Sequence, residues 1–126
     1  MAKTFAAAIN CIDGRTQIPV IAHLRSSFGV DYVDMITEPG VNRLLAENES
    51  EAVISSIRGK LEISVSRHGA KLVAIVGHSG CAGNPADREA QIAHLLAAKE
   101  TVRAWDFGIR IVGLWVDDNG VVSEVE

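Results

Sequence analysis

Lys71-Leu72-Val73-Ala74-Ile75-Val76-Gly77, running straight into His78-Ser79-Gly80-Cys81, is the stretch that decides the fold. An unbroken apolar run of this length, rich in β-branched residues, reads as a parallel strand covered on both faces. The glycine and the small polar residues after it stop the strand and open a loop carrying a histidine and a cysteine. Upstream, Asn48 or Ser50 is placed to cap a helix. Its apolar stripe would be Val53, Ile54, Ile57, Leu61 and Val65, and His68-Gly69 would end it. Downstream, Asn84-Pro85 reads as a helix start with proline at the first helical position, the helix running to about Trp105. Ile109 to Val116 is then a second long strand.

The rest of the chain repeats the alternation. Thr4 to Asn10 is an apolar run and a candidate buried strand. A helix is expected from about Gln17 to Ser27, with Val20, Ile21, Leu24 and Phe28 at helical spacing and Gly29 as its stop. Tyr32 to Ile36 reads as a short strand, Pro39-Gly40 as a turn, and Val41 to Ala46 as a short helix. Asp118-Asn119-Gly120 is a turn signal, with Val121 to Val125 returning as a short edge strand. This pattern predicts an α/β fold with a central, mostly parallel sheet and helices on both faces. Right-handed crossovers restrict the strand order, and 2-1-3-4 is expected, with the first and third strands adjacent. Ligands of open α/β sheets bind beyond the carboxyl ends of the strands where the chain reverses direction.

Two segments fall at that place. Cys11-Ile12-Asp13-Gly14-Arg15 leaves the first strand, and His78-Ser79-Gly80-Cys81 leaves the third. If those strands are neighbours, both cysteines of the chain and one of its four histidines share one crevice. Two thiolates and an imidazole suit Zn²⁺, and three protein ligands leave a fourth tetrahedral position open. Asp13 either fills that position or accepts a hydrogen bond from a water there. Arg15 is placed to hold the Asp13 carboxylate through a forked pair of hydrogen bonds, which would free the position for water. The bland alternative, two buried thiols beside a surface ion pair, does not account for the coincidence of both motifs at two neighbouring strand ends.

Composition bounds the function. The chain has 126 residues, 48% apolar and 22% charged, and is read as a single domain over residues 1–126. Its formal net charge of −4 supplies no basic footprint for nucleic acid. No apolar run reaches the ~20 residues of a membrane span. The amino-terminal stretch reads as a strand, not a signal peptide, and a cytoplasmic location is expected.

At the quoted motifs the chain resembles the β-class carbonic anhydrases. That family carries Cys-x-Asp-x-Arg after its first strand and His-x-x-Cys after its third. The resemblance implies Cys11, His78 and Cys81 as zinc ligands, with Asp13 and Arg15 as a catalytic dyad. It extends over Leu72 to Cys81 and over Ile111 to Val121. It implies reversible hydration of CO₂ to bicarbonate by zinc hydroxide, in a homodimer or higher homo-oligomer. Two rival readings keep the zinc: a related hydrolase of carbonyl sulfide or carbon disulfide, and a non-catalytic zinc-binding protein. The chain departs from the family at Thr37-Glu38-Pro39-Gly40-Val41, where only the glycine of Arg-Asn-Ala-Gly-Asn is kept. Gln17 lies close to the first motif, but its position does not match the family's substrate-binding glutamine.

Overall fold

A computed structural model describes residues 2–126; Met1 lies outside the described residues. The elements in chain order are β1 (Phe5–Asn10), α1 (Gly14–Phe28), β2 (Tyr32–Thr37), α2 (Val41–Glu47), α3 (Glu51–His68), β3 (Leu72–His78), α4 (Arg88–Arg103), β4 (Arg110–Val116) and β5 (Val122–Val125). The sheet has the order β2-β1-β3-β4-β5. The first four strands pair in parallel, and β5 returns antiparallel along β4. The expected order 2-1-3-4 and the returning edge strand are both present.

The side-chain period of a strand explains why β3 must be apolar throughout. Val73 and Ile75 join Ala7 and Ile9 of β1 on one face, packed against Leu45 of α2, Ile57 and Leu61 of α3, and Leu95 and Ala98 of α4. Leu72, Ala74 and Val76 join Ala6 and Ala8 on the other, packed against Val20 and Leu24 of α1. Every residue of β3 is buried. Three helices therefore cover one face and one helix covers the other. Truncating Ile75 or Leu95 to alanine would cost about 2–5 kcal/mol, the usual range for a filled core position.

Element ends depart from expectation in instructive ways. Helix α1 begins at Gly14 because the Asp13 carboxylate accepts from the Arg15 backbone N–H and caps it. Asn48 does not cap α3; it ends α2 in the left-handed region at φ 52°. The largest shift is in α4, which starts at Arg88 rather than at Asn84-Pro85. Asp87 is its cap, accepting from the Ala90 N–H at 2.9 Å. Asn84 is instead buried, and the Ala86 N–H donates to its carbonyl at 2.7 Å in a tight turn. Gly69, in the left-handed region at φ 69°, ends α3 where the sequence placed it.

Candidate metal centre

Pairing of β1 with β3 aligns Ile9 with Ile75, and Cys11 follows directly on the end of β1 at Asn10. His78 is the last residue of β3, and Cys81 follows one turn later. The result is a compact group. One ligand atom each of Cys11, His78 and Cys81 lies within 4.8 Å of the others, and all three residues are buried. The two sulfurs are 3.8 Å apart.

The imidazole is oriented for a ligand. Its Nδ1 donates to the Ser79 carbonyl at 2.7 Å, since a carbonyl can only accept. In the neutral ring that places the proton on Nδ1 and the lone pair on Nε2. Nε2 is buried and has no hydrogen-bond partner. An unpartnered buried ring nitrogen beside two buried sulfurs is costly in a protein interior, and a metal ion is the group that would satisfy it. The donor set S₂N suits Zn²⁺.

The sulfurs are not equivalent. Burial alone would raise the Cys11 thiol, but His78, the backbone amides of Gly40 and Asp13, and the Cys81 thiol outweigh it and lower it from 9.0 to about 6. Burial raises the Cys81 thiol, and the neighbouring Cys11 sulfur adds to that; amides of Asn84 and Gly83 oppose it only in part. The pair holds one thiolate readily and the second only with help. Burial opposes charge on His78 too, yet the Cys11 sulfur, the Ser79 carbonyl and Asp13 raise its pKa above 6.5.

The segment Pro39-Gly40, where the chain departs from the family pattern, does two things here. Its Gly40 amide serves the Cys11 sulfur. Its backbone also lies against Gly83, so closely that a Cβ on Gly40 would sit 2.5 Å from the Gly83 carbonyl. Gly40 has φ 58°, so a side chain is excluded by conformation as well as by space.

Asp13 and Arg15 lie at the mouth. Arg15 Nε donates to Asp13 Oδ1 at 3.1 Å, and Nη2 donates to Oδ2 at 2.6 Å. Nη2 also donates to the Gly80 carbonyl at 3.0 Å, tying the first motif to the second. The side-chain hydrogen bond from Arg15, with its backbone N–H, holds the Asp13 carboxyl well below the usual carboxylate range. Asp13 is not in the close group formed by Cys11, His78 and Cys81. Gln17 donates to the carbonyls of Cys11 and Asp13, at 2.7 and 3.1 Å, so it braces this loop from beneath.

Sequence reasoning missed a buried amide cluster on the other side. Gln91 Nε2 donates to the carbonyls of His78 and Asn84, at 2.8 and 3.1 Å, spanning the whole ligand loop. Its Oε1 accepts from Asn42 Nδ2 at 3.0 Å, and Asn42 Oδ1 accepts from Asn84 Nδ2 at 3.2 Å. Gly77 makes room: a Cβ there would stand 3.0 Å from Asn42 Nδ2 and 3.2 Å from Gln91 Oε1. A signal existed, because Gln91 shares a helical stripe with Leu95, Ala98 and Val102, where an apolar residue is the default. His94 joins this cluster through Asn84 and is remote in role from the ligands. Tyr32 begins β2 at the far end of the sheet and is exposed.

Fold and site together define an α/β protein with a buried Cys-His-Cys group at the carboxyl ends of two neighbouring parallel strands. Comparison with known proteins gives the class its family: the family described as "Putative carbonic anhydrase" matches residues 1–126, and the chain belongs to it. Among solved structures it is similar to β-carbonic anhydrase isoform I from Trichomonas vaginalis, at 20% identity and TM-score 0.63, over 98% of this chain and 83% of that one. The carbonic anhydrase from Glaciozyma antarctica matches at 12% identity and TM-score 0.65, over 100% and 85%. Carbon disulfide hydrolase in its apo form matches at 11% identity and TM-score 0.52, over 98% and 79%. A comparison with curated protein sequences found no match. Among the described residues, no helix is long and apolar enough to cross a membrane.

Proposed function

We propose that this chain is a zinc-dependent carbonic anhydrase, hydrating CO₂ to bicarbonate reversibly. Cys11, His78 and Cys81 would hold the ion, and Asp13 and Arg15 would serve the reaction. The observation that carries this reading is the buried, unpartnered Nε2 of His78 facing two buried sulfurs. When bound, zinc lowers the pKa of water to ~7 and so supplies a nucleophile at neutral pH.

The protein's own part is positional and electrostatic. Arg15 keeps the Asp13 carboxylate in a two-point grip, which draws it away from competing as a fourth ligand. Asp13 stays ionised across the working pH range and can accept a hydrogen bond from a water molecule at the mouth, orienting it. Because Arg15 also grips the Gly80 carbonyl, the acceptor is registered to the ligand loop rather than to its own loop alone. A purely structural metal site has no use for such a pair, and this favours catalysis over a non-catalytic role.

Ile12, between Cys11 and Asp13, is 61% exposed, and Ile18 of α1 is 78% exposed. Large apolar side chains on an exposed surface fit a face covered by a second copy, and the assembly proposed is a homodimer or higher homo-oligomer. The likeness to carbon disulfide hydrolase supports a second substrate class, since CO₂, carbonyl sulfide and carbon disulfide are all small linear electrophiles.

Stopped-flow CO₂ hydration and zinc content, on the wild type and Asp13→Ala, test the reading. Stoichiometric zinc in both, with hydration falling about 100-fold or more in the variant, is the expected result. Zinc without hydration, together with hydrolysis of carbon disulfide, transfers the chemistry to the second substrate. Zinc with neither activity leaves only a structural role.

A further inference from the structure

At the end of the sheet opposite the metal centre lies a hollow of about 470 Å³. Its walls are the amino ends of β1, β3 and β4, with Phe5, Leu72 and Arg110, and the carboxyl ends of α1 and α3, with Phe28 and His68. The volume lies in the range of small-molecule sites, which are mainly apolar with a few polar groups. By contrast, the hollow between Arg15, Ser79 and Asp118 beside the metal centre measures about 130 Å³.

Charge sets this hollow apart. Lys3, Lys71 and Arg110 line it, and no carboxylate does. None of these three cations has an ion-pair partner within 4.0 Å among the described residues. The fourth titratable group, His68, is already paired with Asp34 at 2.7 Å. Two helix carboxyl ends face the hollow and together bring about one negative charge, which the three cations exceed. Asp31, held by Thr4, partly offsets Lys3, so the positive charge of the hollow rests chiefly on Lys71 and Arg110.

Aromatic surface is gathered there as well. Two of the chain's three phenylalanines line it. Phe5 stacks on the His68 ring at 4.4 Å, and the Arg110 guanidinium lies over the Phe28 ring at 5.2 Å. A flat ring can be received by aromatic faces while a carboxylate on it meets Arg110 and the lysines.

We infer that this hollow is a binding site for a small aromatic carboxylate, separate from the metal centre and independent of its occupancy. The probe is 2-naphthoate, titrated by heteronuclear NMR, beside the neutral 2-naphthalenemethanol and inorganic phosphate. The expected result is saturable naphthoate binding at or below about 1 mM, with shifts confined to residues around Phe5, Phe28, His68 and Arg110. Lys71→Gln/Arg110→Gln should weaken naphthoate at least about tenfold, bringing it level with the alcohol, because the charge-assisted hydrogen bonds are gone. Zinc content and far-UV circular dichroism of the variant should match the wild type. No saturation, or equal binding by the double variant, overturns the inference. Phosphate displacing naphthoate at equal concentration also overturns it, since a bare anion hole would need no aromatic wall.

Discussion

Residues 77–84 and residues 11–15 both end parallel strands and both offer a sulfur, yet they are held in opposite ways. In the first, His78, Cys81 and Asn84 are buried, and Gln91 ties the carbonyl before the loop to the carbonyl after it. In the second, Cys11 is buried, but the Asp13 side chain is 20% exposed and that of Arg15 is 68% exposed. The enclosed segment presents ligand atoms at fixed positions. The open one presents a charged pair at the solvent boundary, where water has access. Under the proposed function the difference divides the site into a holding half and a reacting half, joined by the hydrogen bond from Arg15 to Gly80 and by the contact of the Cys11 and Cys81 sulfurs.

The largest effect should come from the holding half itself. His78→Ala removes the one nitrogen donor. Zinc affinity should fall by more than about 100-fold, beyond the loss usual for groups that only support ligands; metal content after dialysis measures it. If His78→Ala retains full zinc, the imidazole is not a ligand.

Next comes the clamp behind the loop. Gln91→Leu keeps the volume but strands the His78 and Asn84 carbonyls and the Asn42 amide. Each buried group left without a partner costs about 1–3 kcal/mol, so the melting temperature should drop clearly. Zinc affinity should fall about 10–100-fold in the folded variant, while Gln17→Leu, which removes the brace on the open segment, should lower it less. Equal effects of the two substitutions would erase the distinction between the halves.

The smallest effect concerns protons. Cys11, lowered to about 6, is already a thiolate at pH 7.5, whereas Cys81 is raised and still protonated. Zinc binding at pH 7.5 should therefore release about one proton, chiefly from Cys81, seen by calorimetry in buffers of different ionisation enthalpy. The sign follows from the direction of each shift. A depressed acid contributes stabilisation above its ordinary pKa and loses it as pH falls through its folded value. Below about pH 6, Cys11 must also give up a proton, so release should rise and affinity should fall more steeply. Release of no proton at pH 7.5 would mean that Cys81 is not the protonated sulfur.

Much of this was legible in the chain. The apolar run Leu72–Val76 had no reading but a buried strand, and the motifs at Cys11 and His78 had one meeting place once the strand order was restricted. What was hidden depends on contacts between distant segments. Asn84-Pro85 looks like a helix start because local propensity favours it. The burial of Asn84 against Asn42 and Gln91 overrides that preference and delays α4 to Arg88. Gln91 is one polar residue on an apolar stripe, and its meaning appears only when His78 and Asn42 are opposite. Pro39-Gly40 read as a turn and as a departure from the family. That its amide reaches the Cys11 sulfur required the fold.

The central claim is an ion held by two sulfurs and one nitrogen, with a fourth position left for water. Zinc K-edge X-ray absorption on the purified protein tests it most directly. The account predicts two sulfur scatterers at ~2.3 Å and two nitrogen or oxygen scatterers at ~2.0 Å, unchanged in Asp13→Ala, as expected if Arg15 keeps Asp13 off the ion. Protein that holds no zinc, or a shell that loses an oxygen in Asp13→Ala, would contradict it.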